Sequence, residues 1–172
     1  MELPNTNWQQ TLDQVAASPQ SLESIEVQNT LHNLLQSNVS VCQSMGGFFM
    51  PQMVRLFSPM LQLYTGLSRL INNGIQHAGP LGAQHSTIKA MRSVKKTALK
   101  LIEAFVDTAE MEDHLNVISS DFVPALMEPI LSDYKESLPD AKCAPFSLCT
   151  LYTVWACADA MRLNASFQDC VA

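Results

Sequence analysis

A chain of 172 residues is the length of one domain with a real core. Its hydrophobic share of 47% against 15% charge suits a piece that hides its faces against neighbours. The net charge of −6 argues against a general nucleic-acid binder, and it conceals strong segregation. Residues 1–26 carry four acids and no base, 27–102 carry seven bases and no acid, and 103–172 carry twelve acids against Lys135, Lys142 and Arg162. Such blocks predict charge complementarity between successive elements, or an acidic partner for the middle block.

Met1 is followed by Glu2, Pro4 and polar residues, which is no targeting pattern. No stretch approaches the ~18 uninterrupted apolar residues of a membrane span, so no membrane insertion is expected. Cys42, Cys143, Cys149, Cys157 and Cys170 are odd in number and form no CxxC. That favours reduced, structural thiols over a disulfide framework or a zinc site.

In chain order, Pro4 to Ala16 reads as a short helix with Trp8, Leu12, Val15 and Ala16 inward, ended by Ser18-Pro19. Ser21 to Ile25 is a linker or a single turn. Val27 to Met45 is a long helix with Leu31, Leu34, Leu35, Asn38, Val41, Cys42 and Met45 on its inner face, stopped at Gly46-Gly47. Phe48 to Ala78 is the longest periodic segment. Met53, Phe57, Met60, Leu61, Tyr64, Leu67, Ile71 and Ile75 share a face, Pro51 fits the first turn, and Pro59 predicts a kink. The soft cluster Phe48, Phe49, Met50, Met53, Phe57 and Met60 reads as helix–helix core before it reads as a partner groove.

Residues 79–85 read as a loop. The helix after it, Ser86 to Val106, is the basic one. Lys89, Arg92, Lys96 and Lys100, spaced three, four and four apart, form one cationic stripe, while Ile88, Met91, Val94, Ala98, Leu101, Ile102 and Phe105 form the opposite, apolar one. It pairs with 48–78 as an αα-hairpin. Thr108 to Asp113 is an acidic connection, and His114 to Ile118 is at most two turns. Ser119-Ser120-Asp121 reads as the cap of a new helix with Phe122, Leu126, Ile130, Leu131 and Tyr134 inward and Pro129 bending it. Phe146 to about Leu163 is helical, and Asn164 to Ala172 carry no pattern. The fold class is all-α: antiparallel helix pairs at the ~40–50-residue rhythm of HEAT-type arrays.

No catalytic constellation is present. His32, His77, His85 and His114 are scattered, no glycine-rich phosphate loop follows Gly46-Gly47, and no nucleophile motif occurs. The reading is a binding protein with no catalysis, no cofactor and no metal site. The basic stripe invites a nucleic-acid reading, but it lacks interleaved aromatics for base stacking. It also lacks the anchors of a membrane-surface helix beyond Phe105.

A set of collinear motifs then points to a family. Leu3-Pro4-Asn5 with Trp8, Asn38 to Cys42 with Met45-Gly46, IKAMRSVKKTALKLI at Ile88 to Ile102, and Phe122-Val123-Pro124 with Asp133-Tyr134 and Pro139 occur in one order at matching spacing. The chain resembles a segment from the C-terminal half of the chromosome region maintenance type of karyopherin-β, the exportin for leucine-rich export signals. The resemblance covers residues 1–154 as about three helix pairs of a HEAT-repeat α-solenoid. Residues 155–172 form a divergent tail, read as disordered.

The resemblance implies a transport role shuttling between nucleus and cytoplasm. Its partners would be the small GTPase Ran in its GTP form, export-signal cargo and nucleoporins. It also implies that 48–78 is an A helix and the basic helix its B partner, so that Lys89, Arg92, Lys96 and Lys100 face the concave interior. The family's export-signal groove, with its reactive cysteine, lies outside the matched segment, so none of the five cysteines inherits that role. The expectation is therefore a truncated product, marginally stable alone. The alternative is a stand-alone α-helical module that binds an acidic partner through residues 86–106.

Overall fold

The computed structural model describes residues 19–108 and 112–136, and every described element is helical. The expected helix over Pro4–Ala16, the helix from Phe146 and the tail lie outside the described residues. A 3-10 turn, Pro19–Glu23, leads into α1, Ile25–Met45. Gln28 is buried and donates its side-chain N–H to the Leu22 carbonyl at 2.7 Å, which pins that turn to the helix. The helix is rich in hydroxyls, and it tolerates them by back-bonding: Thr30, Ser37, Ser40 and Ser44 each donate to the carbonyl four residues earlier. Its inner row is Leu31, Leu35, Val39 and Cys42, with Leu34 and Val41 half-buried. Met45, expected inside, is 42% exposed because it is the last residue of the helix, where the chain turns away at Gly46 (φ 56).

A short 3-10 turn, Gly46–Phe49, opens α2, Met50–Ala78. Pro51 sits in the first turn as expected, and the helix runs unbroken past Pro59 and through Asn72-Asn73-Gly74. All of its expected inner row is buried except Leu61, which is half-buried. The expected loop at 79–85 is instead a 3-10 turn, Gly79–Gln84, folded back on the end of α2. Gly82 makes this possible. A Cβ there would lie 2.8 Å from the Ala78 Cβ and 3.2 Å from the Gly74 carbonyl oxygen. Gly82→Ala is accordingly expected to lower stability by about 1–3 kcal/mol. An unchanged urea midpoint would mean that the turn shifts freely.

Then come α3, Ser86–Asp107, and a continuous helical run made of α4, Glu112–Val117, a π turn, Ile118–Phe122, and α5, Val123–Glu136. Here the structure corrects the expected cap at Ser119-Ser120-Asp121. No helix begins there; the Val123 N–H reaches back to the Ile118 carbonyl in a widened turn. The physical reason is Pro124. It has no N–H to give the Ser120 carbonyl and its ring crowds that residue, so the chain widens instead of stopping. Leu131 is the second correction. It is 51% exposed, while Val123 is buried with Phe122, Leu126 and Ile130.

Contacts fix the stacking. Gly74 approaches Ile88 and Tyr64 approaches Lys95, so α2 and α3 run antiparallel. His32 meets Thr97 and Cys42 meets Thr108, so α1 and α3 run parallel. Phe57 meets Phe122 and Tyr64 meets Asp133, so α2 and α5 are parallel too. The result is two layers, α1 with α3 and α2 with α5, each helix packing on its counterpart in the following pair. That is how antiparallel pairs stack in a HEAT-repeat solenoid. Within the second layer Phe57 and Phe122 stack at 4.2 Å, and Phe105 of α3 leans across from the first layer, tilted against Phe122 at 6.1 Å.

Candidate protein-interaction surface

The apolar row of α3 decides where its cations go. Met91, Val94, Ala98, Leu101, Ile102 and Phe105 are buried, and this turns Lys89, Lys96 and Lys100 outward. Ser93 is exposed in line with them, and Arg92 stands half-buried at the edge. Lys89 to Lys96 is two turns and Lys96 to Lys100 about one, or about 10 Å and 6 Å along the axis. Among the described residues none of the three lysines has a carboxylate within ion-pair reach. The parallel neighbour α1 offers no charge between Val27 and Met45 to neutralise them. It presents amides and hydroxyls, with Asn29, Asn33, Ser37 and Ser40 exposed and Gln36 half-buried. His32 ties the two helices together. The Thr97 hydroxyl gives its proton to the Ser93 carbonyl at 2.9 Å and so accepts from His32 Nδ1 at 3.0 Å.

The fifth cation of the segment behaves differently. Lys95 is 1% exposed, and its Nζ is 2.6 Å from Asp133 Oδ2. The Tyr64 hydroxyl donates to the same oxygen at 2.9 Å, and the ammonium lies 4.9 Å from the Tyr64 ring centroid. Burial pushes the Asp133 carboxyl up. The hydrogen bond and charge of Lys95, with hydrogen bonds from Tyr64 and Ser68, outweigh that and hold it below the ordinary carboxylate range. This cluster joins α2, α3 and α5. It is a structural lock, not part of the outer stripe.

At the opposite end of the helices, a shallow groove is lined by Met45, Gly47, Phe48, Asp107, Thr108 and His114. Phe48 is 86% exposed there, whereas Phe49, Met53, Phe57 and Met60 are core, so most of the soft cluster is interior packing. Cys42 is a buried thiol pushed up by burial, an effect only partly offset by a hydrogen bond with Thr108. Among the described residues no group of three His, Cys, Asp or Glu is placed to hold a metal ion, and no helix is long and apolar enough to cross a membrane.

Residues 52–161 match the family described as CRM1 C terminal. Exportin 1B and exportin 1A of Arabidopsis thaliana are each 39% identical over 142 residues, 83% of this chain and 13% of theirs. Exportin-1 of Schizosaccharomyces pombe is 34% identical over the same share. The chain thus spans about an eighth of the length of the curated relatives it matches.

Proposed function

The chain belongs to the CRM1-type exportin family, and from that premise we propose that it is a scaffold segment of a nuclear export receptor whose α3 stripe faces a partner. Members of this family are transport receptors and not enzymes. The observation that carries the proposal is the coincidence of the family match with the two-layered helix stack. In this reading the segment sets the spacing and direction of a HEAT-repeat solenoid. The solenoid carries cargo bearing leucine-rich export signals with Ran-GTP and moves between nucleus and cytoplasm. Lys89, Arg92, Lys96 and Lys100 lie on the α1–α3 layer, which in this reading lines the concave side. Their charge, with no ion-pair partner among the described residues, supports a role in attracting an acidic surface of Ran or cargo.

The test is a chimera in which this segment replaces the matching 142 residues of Arabidopsis thaliana exportin 1A. A reporter bearing a leucine-rich export signal is expected to leave the nucleus with the chimera. Failure of export by a folded chimera would remove the scaffold reading. Replacing the four basic residues by Glu in the chimera is expected to weaken Ran-GTP and cargo association by about tenfold or more, with a larger effect at low salt. Unchanged affinity would reduce the stripe to a solvated face.

A further inference from the structure

We infer that the strip between α1 and α3 takes an extended acidic peptide, lying along Lys89, Lys96 and Lys100 with its backbone on the side-chain amides of Asn33 and Gln36. The inference rests on the stripe being a partner face and names the chemistry of the partner.

The first observation is register. His32 sits opposite Ser93 and Thr97. Asn33 and Gln36, one and four residues further along the parallel helix, therefore stand beside the span from Lys96 to Lys100. Ser37 and Ser40 spend their hydroxyl protons on the carbonyls of Asn33 and Gln36. The amide side chains of those two residues remain without a protein partner among the described residues. The strip thus offers a row of cations beside a row of groups that both donate and accept, as a peptide backbone requires.

The second observation decides between ligands. A helical partner would need to bury an apolar stripe, yet the large exposed apolar residues Ile25, Met45, Phe48, Val54, Leu81 and Leu131 leave the middle of this face polar. A single-stranded nucleic acid would need stacking platforms, and among the described residues no phenylalanine or tyrosine ring stands on this face, while the His32 imidazole is half-buried and tied to Thr97. An extended acidic peptide needs neither. Its residues advance about 3.3 Å each. Lysines about 10 Å and 6 Å apart therefore fall at the axial spacing of acids three and then two residues further on, and the long lysine stems reach carboxylates on either edge of the extended peptide.

The experiment is fluorescence anisotropy on the 172-residue chain at about 50 mM salt. The probe is a labelled Gly/Ser peptide with Glu at i, i+3 and i+5; a second peptide of the same composition has its three Glu adjacent. The spaced peptide is expected to bind several-fold more tightly than the adjacent one. Lys96→Glu with Lys100→Glu is expected to cost about tenfold or more, and Arg55→Glu with Arg69→Glu, the same charge change on the other layer, less than about twofold. Asn33→Ala with Gln36→Ala leaves the charge alone and is expected to cost about two- to fivefold.

Equal losses from the two charge-reversal pairs would overturn the proposal, as would no effect of the amide pair, or tighter binding of a single-stranded RNA of equal charge. These positions are on the surface, and a circular dichroism spectrum confirms that each variant is folded. Peptide failure with export retained by the chimera would remove this inference and leave the scaffold reading. Loss of export with spaced-peptide binding intact would do the reverse.

Discussion

Lys95→Ala is expected to destabilise the chain by about 3–5 kcal/mol, the cost of leaving Asp133 part-buried without its cation. The lysine is 1% exposed and is held by one ion pair and one ring contact. Removing it strands a carboxylate whose other bonds, from Tyr64 and Ser68, do not cancel the charge. The control is Lys95→Met with Asp133→Leu. Replacing both partners by apolar groups is expected to recover most of the loss, because the pair offsets a desolvation cost that the apolar pair never incurs. Urea unfolding at pH 7 measures both. A loss below about 1 kcal/mol for Lys95→Ala would mean that water reaches the site.

The same site has an acid signature. The folded-state pKa of Asp133 is depressed. Its stabilising contribution is therefore complete above the ordinary value of about 3.9 and is lost as pH falls from there through the folded-state value. The stability gap between the native chain and Lys95→Met/Asp133→Leu should drift in that window and stay flat above about pH 5.

Phe122→Ala is expected to cost about 3–5 kcal/mol. The ring stacks on Phe57 at 4.2 Å and leans on Phe105 at 6.1 Å, so one truncation opens a cavity where α2, α3 and the π turn meet. Phe122→Leu keeps most of the volume and is expected to cost less than about 2 kcal/mol. Near-UV circular dichroism should report the loss of ring packing in both variants. Near-equal urea midpoints for Ala and Leu would mean that the cavity collapses.

Much of this architecture could be read from spacing alone. The row from Met53 through Ile75 recurs every three or four residues, and burial follows that row because only one side of a helix can face its neighbours. The same logic places Lys89, Lys96 and Lys100 outside. It also places Lys95 inside, four residues after Met91 and three before Ala98, although a Lys-Lys pair invites the opposite reading. What spacing cannot supply is Asp133, 38 residues away in sequence, which together with the Tyr64 ring makes that burial tolerable. Leu131 shows the converse limit. It lies about 100° around the helix from Ile130, and hydrophobicity alone does not say whether both turn in, as Leu101 and Ile102 do, or only one. Ser119-Ser120-Asp121 misleads for a chemical reason, since the side chains that cap a helix are also tolerated where a turn widens. The partner of the stripe is not a property of periodicity at all; it depends on what the neighbouring helix presents.

The widened turn at Ile118–Phe122 acts as a frameshift in the helical pattern. One residue more or less in that turn is a rotation of about 100° for everything beyond it. In a loop such a change would be absorbed, but here the helical run is continuous on both sides. Deleting one residue would swing Leu126 and Ile130 out of the core and Asp133 off the bearing that meets Tyr64. The pitch of the superhelix is therefore exposed at this point to single-residue insertion and deletion. Relatives with similar helices on either side of the turn can wind differently through a change in length of one residue.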